Sequence, residues 1–166
     1  MKNGELRGIQ ILATRLEDAV PVILNVKSVQ RSADGEEDTV EFVTDGQMRR
    51  SGARCVLDYE ESELTGLGGV HTTFVSEPGR MSVERSGAVE SRMIFERGQK
   101  HISLYETPCG VMTVGTVAME LSDETDPAGG RLFVDYRIDI ENAFAGRNSI
   151  EFIITPMNEG KGGNAE

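Results

Sequence analysis

The acidic run Asp58-Tyr59-Glu60-Glu61-Ser62-Glu63 is the densest group of side chains in this chain that could do chemistry. Neighbouring carboxylates serve as general acid and base, or hold a divalent cation. On a strand, Glu61 falls on the same face as Tyr59 and would point inward near one end of a barrel. A buried carboxylate needs a cation or several donors, and Arg85 or Arg92 can supply the cation. The competing reading is a strand end running into a solvated loop. His101, Ser103 and Tyr105 share a strand face that could meet a polar ligand, but Ile102 and Leu104 read as the apolar side, which turns His101 to solvent. Asn142 and Arg147 flank the final turn, ENAFAGRNS; Arg147 is an anion contact if that turn rims an open mouth, and otherwise part of the turn.

Other chemistry is poorly supported. The chain has no G-x-S-x-G, H-E-x-x-H, G-x-x-x-x-G-K-[ST] or C-x-x-C motif, and Gly66-Leu67-Gly68-Gly69 precedes a strand rather than a helix, as a turn would. His71, His101, Cys55 and Cys109 are scattered singly, without the paired spacing of a zinc site, so neither a metal nor a cofactor is expected. The expectation is a protein that is not an enzyme.

Strands must position these residues. From Ser76 to Thr116 short alternating segments are punctuated by Pro78-Gly79, Gly87-Ala88, Gly98-Gln99 and Pro108-Cys109-Gly110. Turns this tight force antiparallel pairing, because a parallel pair needs a long crossover. The rhythm extends over most of the chain: PVILNVKSVQ, DTVEFVT, a short strand bracketed by Gly46 and Ser51-Gly52, ARCVLDYEE and GVHTTFVS. VMTVGTVAMEL runs to about Leu121 with a bulge expected at Gly115, DETDPAGG reads as a loop, RLFVDYRIDI alternates strictly, and a final strand spans Asn148 to Thr155. Near-neighbour hairpins predict an all-β, single antiparallel up-and-down barrel of about nine or ten strands, whose closure removes exposed edges. Residues 20–156 make this domain. Leu6, Ile9, Leu12 and Leu16 predict a short N-terminal helix within residues 1–19, and the Gly-rich stretch 157–166 reads as a disordered tail.

The balance of 17 basic against 28 acidic residues, net −11, disfavours nucleic acid and anionic membrane surfaces as partners. No apolar run is long enough for a membrane helix, and the charged N-terminus does not read as a secretory signal. Two cysteines make no disulfide framework, so reduced thiols and a cytoplasmic location are expected.

The motif RSGAVESRMIFERG, with YEESELTG before it and YETPCG after it, resembles the YwiB-like family of small bacterial proteins, over about residues 20–156. The resemblance implies a calycin-like, lipocalin-like β-barrel, and no established activity, ligand or catalytic set. Beside it stands the reading of the residues. Phe42, Leu57, Tyr59, Phe74, Met93, Phe95, Val117, Met119 and Tyr136 are expected to face the lumen, and with few aromatics and no Trp that lumen is under-filled. The first expectation is therefore a barrel binding a small, largely apolar ligand, lined by Tyr59, Met93, Phe95 and Tyr136, with Glu61 and Arg147 near the mouth. The alternative is a structural or interaction module, a homodimer built on an outer face or on the N-terminal helix.

Overall fold

The computed structural model describes residues 19–157. They form β1 (Val20–Ser32), β2 (Glu37–Ser51), β3 (Arg54–Glu60), β4 (Val70–Glu77), β5 (Arg80–Gly87), β6 (Glu90–Glu96), β7 (His101–Thr107), β8 (Gly110–Asp126), β9 (Gly129–Ile140) and β10 (Ala143–Pro156). Each strand pairs antiparallel with its sequence neighbours, and β1 meets β10 to close the barrel. The expected N-terminal helix and the tail lie outside the described residues, except for Met157, whose N–H donates to the Pro21 carbonyl at 2.9 Å. Among the described residues no helix is long and apolar enough to cross a membrane.

Alternation places one face of every strand in the lumen. The half of the barrel that holds the β2–β3, β4–β5 and β8–β9 turns is solidly packed. Leu24, Met48, Leu57, Phe74, Phe95 and Phe152 are fully buried there, with the Phe74 and Phe152 rings 4.9 Å apart and Phe95 4.4 Å from Tyr136. A polar latch crosses this end: Arg50 Nη1 donates to Thr125 Oγ1 at 2.5 Å, Thr125 Oγ1 to Asp123 Oδ1 at 2.6 Å, and Ser76 Oγ to Asp123 Oδ2 at 2.6 Å. The opposite end carries the β1–β2, β3–β4, β5–β6, β7–β8 and β9–β10 connections. The last is a two-residue turn with Glu141 and Asn142 at φ 52° and 68°, the left-handed pair that matches hairpin twist.

Five local expectations are corrected. Gly46 does not end a strand; β2 runs through it. It faces Tyr59 of β3, and a Cβ there would sit 2.5 Å from the Asp58 carbonyl oxygen, so the glycine admits a close strand approach. β8 continues past Leu121 to Asp126, leaving only Pro127 and Ala128 as the turn, and β10 starts at Ala143, with an irregularity between Phe144 and Gly146. The β8 bulge falls at Met119, between Ala118 and Glu120, while Gly115 pairs regularly with Asp139. The bulge resets the alternation, so Val114, Thr116 and Ala118 face the core, Val117 is half-buried and Met119 is exposed. Finally, β7 is turned over: Ile102 and Leu104 are exposed and Tyr105 packs against the core.

The weakest seam lies between β6 and β7, whose backbone ladder holds only Glu90↔Glu106 and Ser91↔Tyr105. Beyond these pairs, Thr116 Oγ1 of β8 reaches across to donate to the Ile94 carbonyl at 2.7 Å.

Candidate ligand-binding site

Strand register builds a belt of inward side chains at the upper rim of the packed core. Tyr59 pairs with Thr72, Thr72 with Arg85, Arg85 with Ser91, Ser91 with Tyr105, and Tyr105 with Met112. Across the lumen Tyr136 pairs with Asn148, and Asn148 with Gln30. Most of these residues are polar. Above them the barrel opens into a cavity of about 830 Å³, with Arg85, Met93, Tyr105, Met112, Val114, Tyr136, Ile138, Asn148 and Ile150 in its wall and Thr65 and Leu67 of the β3–β4 loop at its rim. That is within the range of about 300–1,000 Å³ typical of small-molecule sites, and about half of its lining is polar, with Glu36, Glu37 and Asp38 joining Gln30, Arg85 and Asn148.

Glu61 is buried and turned inward just past the end of β3. Its carboxylate accepts from Tyr59 Oη (3.0 Å), Thr72 Oγ1 (2.8 Å) and Thr65 Oγ1 (3.2 Å), and Arg85 Nε lies 3.8 Å from Oε2. Burial, reinforced by the Glu61 charge, pushes the Tyr59 phenol far above its ordinary range and keeps it a donor. Burial also raises Tyr136, against the opposing effects of the nearby Asn148 side chain and of the Arg85 charge.

Arg85 is the unusual member. Its side chain is 13% exposed, yet among the described residues it makes no hydrogen bond, and Nε is fully enclosed without a partner. Beside it, Ser91 is 8% exposed and its hydroxyl is likewise enclosed and unpartnered.

Of the residues expected at a site, Met93 and Tyr136 line the cavity, and Glu61 with Tyr59 forms the polar floor beside it. Phe95 belongs to the packed core beneath. Arg147 lies on the outer wall, where Asp135 accepts from its Nε and Nη2 at 2.9 Å each; this pairing raises its pKa. Arg92 is exposed, so Arg85 is the cation near Glu61. Glu60 points away from Glu61 and meets His71 at 2.6 Å, so the two carboxylates do not form a pair. His101 bonds Glu96 at 2.9 Å on the side of the barrel away from the mouth. Asn148 and Gln30 are wall residues that the sequence reading does not single out. Tyr105, which the sequence places on a face that could meet a polar ligand, lines the wall although the more apolar Ile102 and Leu104 beside it argue for the other orientation.

The sequence profile of the Domain of unknown function (DUF1934) family matches residues 24–152. The chain belongs to that family. The match takes in β2 to β9 whole and most of β1 and β10, together with the whole belt from Gln30 to Asn148. The crystal structure of the ywiB protein from Bacillus subtilis is similar to this DUF1934 barrel, with a TM-score of 0.66 and 26% identity, covering 82% of this chain and 92% of that one. No curated protein matches the sequence.

Proposed function

We propose that this DUF1934 barrel is a non-catalytic binding protein that takes one small, largely apolar molecule into the cavity at its mouth. The observation that carries the reading is the contrast between the two halves of the lumen. One half is filled by Phe74, Phe95 and Phe152, whereas the other leaves about 830 Å³ open between mixed polar and apolar side chains. A meander closed around such a cavity is what a calycin-like description amounts to, and the free thiols Cys55 and Cys109 suit a reducing cytoplasm. Native mass spectrometry of the full chain purified gently from its own host tests the reading. One non-covalent adduct per chain, lost on denaturation and absent from the cavity-filling variant Ile138→Trp, is expected; a bare chain in both preparations overturns it.

A second reading, self-association, has its own observation: Ile102, Leu104 and Val111 are exposed together on the outer face of β7 and β8. Light scattering decides it. A dimer that Leu104→Glu converts to monomer supports the reading, and a wild-type monomer removes it.

A further inference from the structure

We infer that Arg85 forms a head-group anchor, so that the molecule taken into the cavity is an amphipath with a carboxylate at one end. The inference rests on the cavity being a binding site and adds the chemistry of its occupant.

A guanidinium has five N–H donors in a planar fork and loses most of its hydration when enclosed. Such groups are normally paired and fully hydrogen-bonded. Arg85 departs from that rule. Its ion-pair contact, Glu61, stands at 3.8 Å, too far for a hydrogen bond, and the Glu61 carboxylate is already engaged by Tyr59, Thr72 and Thr65. Glu61 therefore offsets the Arg85 charge from one side without using its donors. Arg85 lines the cavity, so the Nη donors at the end of its guanidinium remain for an acceptor arriving there, while Nε is enclosed beneath. A carboxylate fits because its two oxygens match two parallel N–H donors.

The remaining wall agrees with an apolar body. Met93, Val114 and Ile150 lie one inward position deeper than the belt on their strands, Met112 lies in it and Ile138 lies toward the mouth, so a tail would pack against them with the head at Arg85. The rim acids do not oppose this arrangement strongly. Glu37 is paired with Arg31 at 3.2 Å, and the rim charges are exposed and screened by salt.

The test uses N-phenyl-1-naphthylamine, a neutral apolar fluorophore, bound to the full chain and displaced by decanoate or decanol, which share a chain length and differ at the head. Decanoate should displace the probe at a concentration about tenfold lower than decanol, as charge-assisted hydrogen bonds imply. In Arg85→Met the difference should vanish while probe affinity is retained. Arg85→Lys keeps a positive charge beside Glu61 and loses the planar fork, so it should fold normally and narrow the preference by about threefold. It keeps the test decisive if Arg85→Met does not fold. Equal displacement by the two competitors in the wild type overturns the carboxylate anchor and leaves the cavity reading standing. Failure of the probe to bind at all overturns the cavity reading itself.

Discussion

Arg85 Nε stands 3.8 Å from Glu61 Oε2, within ion-pair range and beyond hydrogen-bond range. The spacing makes Glu61 chiefly an acceptor for hydroxyls, with Arg85 a neighbour rather than its main partner. Replacing Glu61 by Ala leaves the enclosed Tyr59 and Thr72 hydroxyls without their acceptor and Arg85 without its counter-charge. The expected loss is about 3 kcal/mol in urea unfolding, and about half that for Glu61→Gln, which can still accept. In a double-mutant cycle with Arg85→Met, a coupling of about 1 kcal/mol is expected. A coupling of zero would show that the charge pair contributes nothing at this separation.

His71 gives the outer wall a pH-dependent contribution. Its Nδ1 meets Glu60 at 2.6 Å and its Nε2 meets Asp58 at 3.1 Å, and these hydrogen bonds raise its pKa. A raised folded-state pKa means stabilisation that is complete below the ordinary histidine value of 6.5 and fades as the pH rises through the higher folded value. The side chain is partly solvated, so His71→Gln should cost only about 0.5 kcal/mol at pH 6. At pH 9 wild type and variant should have the same urea midpoint. A difference that grows toward pH 9 would reverse the assignment.

How far the architecture could be read from the chain is clearest where reading failed. Hairpin chemistry at Pro78-Gly79 and Gly98-Gln99 was enough to predict an antiparallel meander, because turn geometry is local. Gly46 was misread as punctuation because its role is non-local: it faces Tyr59 across a close strand pair. Counting in twos along β8 failed at Met119, since a bulge depends on how β9 registers against β8 and leaves no composition signal of its own. Likewise, Ile102 and Leu104 outrank Tyr105 in hydropathy, yet the pairing of Tyr105 with Ser91 and Met112 decides which side faces the lumen. For the site, Glu61 and its need for a cation were legible by alternation. Arg147 was not placed by the same rule, because the turn at Glu141-Asn142 had to be located before the parity of β10 could be counted.

The packed half of the lumen should carry much of the stability. Phe74 is fully buried, 4.9 Å from Phe152 between ring centres, and lies outside the wall of the mouth cavity. Phe74→Ala is expected to cost about 4 kcal/mol. Tyr105→Phe, at the seam and partly solvated, should cost less than about 1 kcal/mol. Comparable losses for the two would contradict the division of the lumen into a filled and an open half.

Two strand glycines should respond in opposite ways to the same substitution. At Gly46 an added Cβ would lie 2.5 Å from the Asp58 carbonyl oxygen and 3.1 Å from Leu24 Cδ1. The first obstacle is backbone, fixed by the β2–β3 ladder, so β3 must move and Tyr59, which carries the bond to Glu61, must move with it. At Gly115 the Cβ would meet Lys100 Cε at 2.6 Å, the far end of a flexible side chain. Lys100 can swing aside at the cost of its 2.7 Å contact with Asp139, which Arg137 Nε also holds at 3.1 Å. Gly46→Ala should therefore cost about 2 kcal/mol or more and weaken probe binding in the cavity. Gly115→Ala should fall within about 0.5 kcal/mol of wild type, because loss of a partly exposed ion pair is offset by reduced freedom of the unfolded chain. Thermal unfolding of the two variants side by side checks this, and equal melting temperatures would mean that the close approach at Gly46 is not a constraint on the barrel.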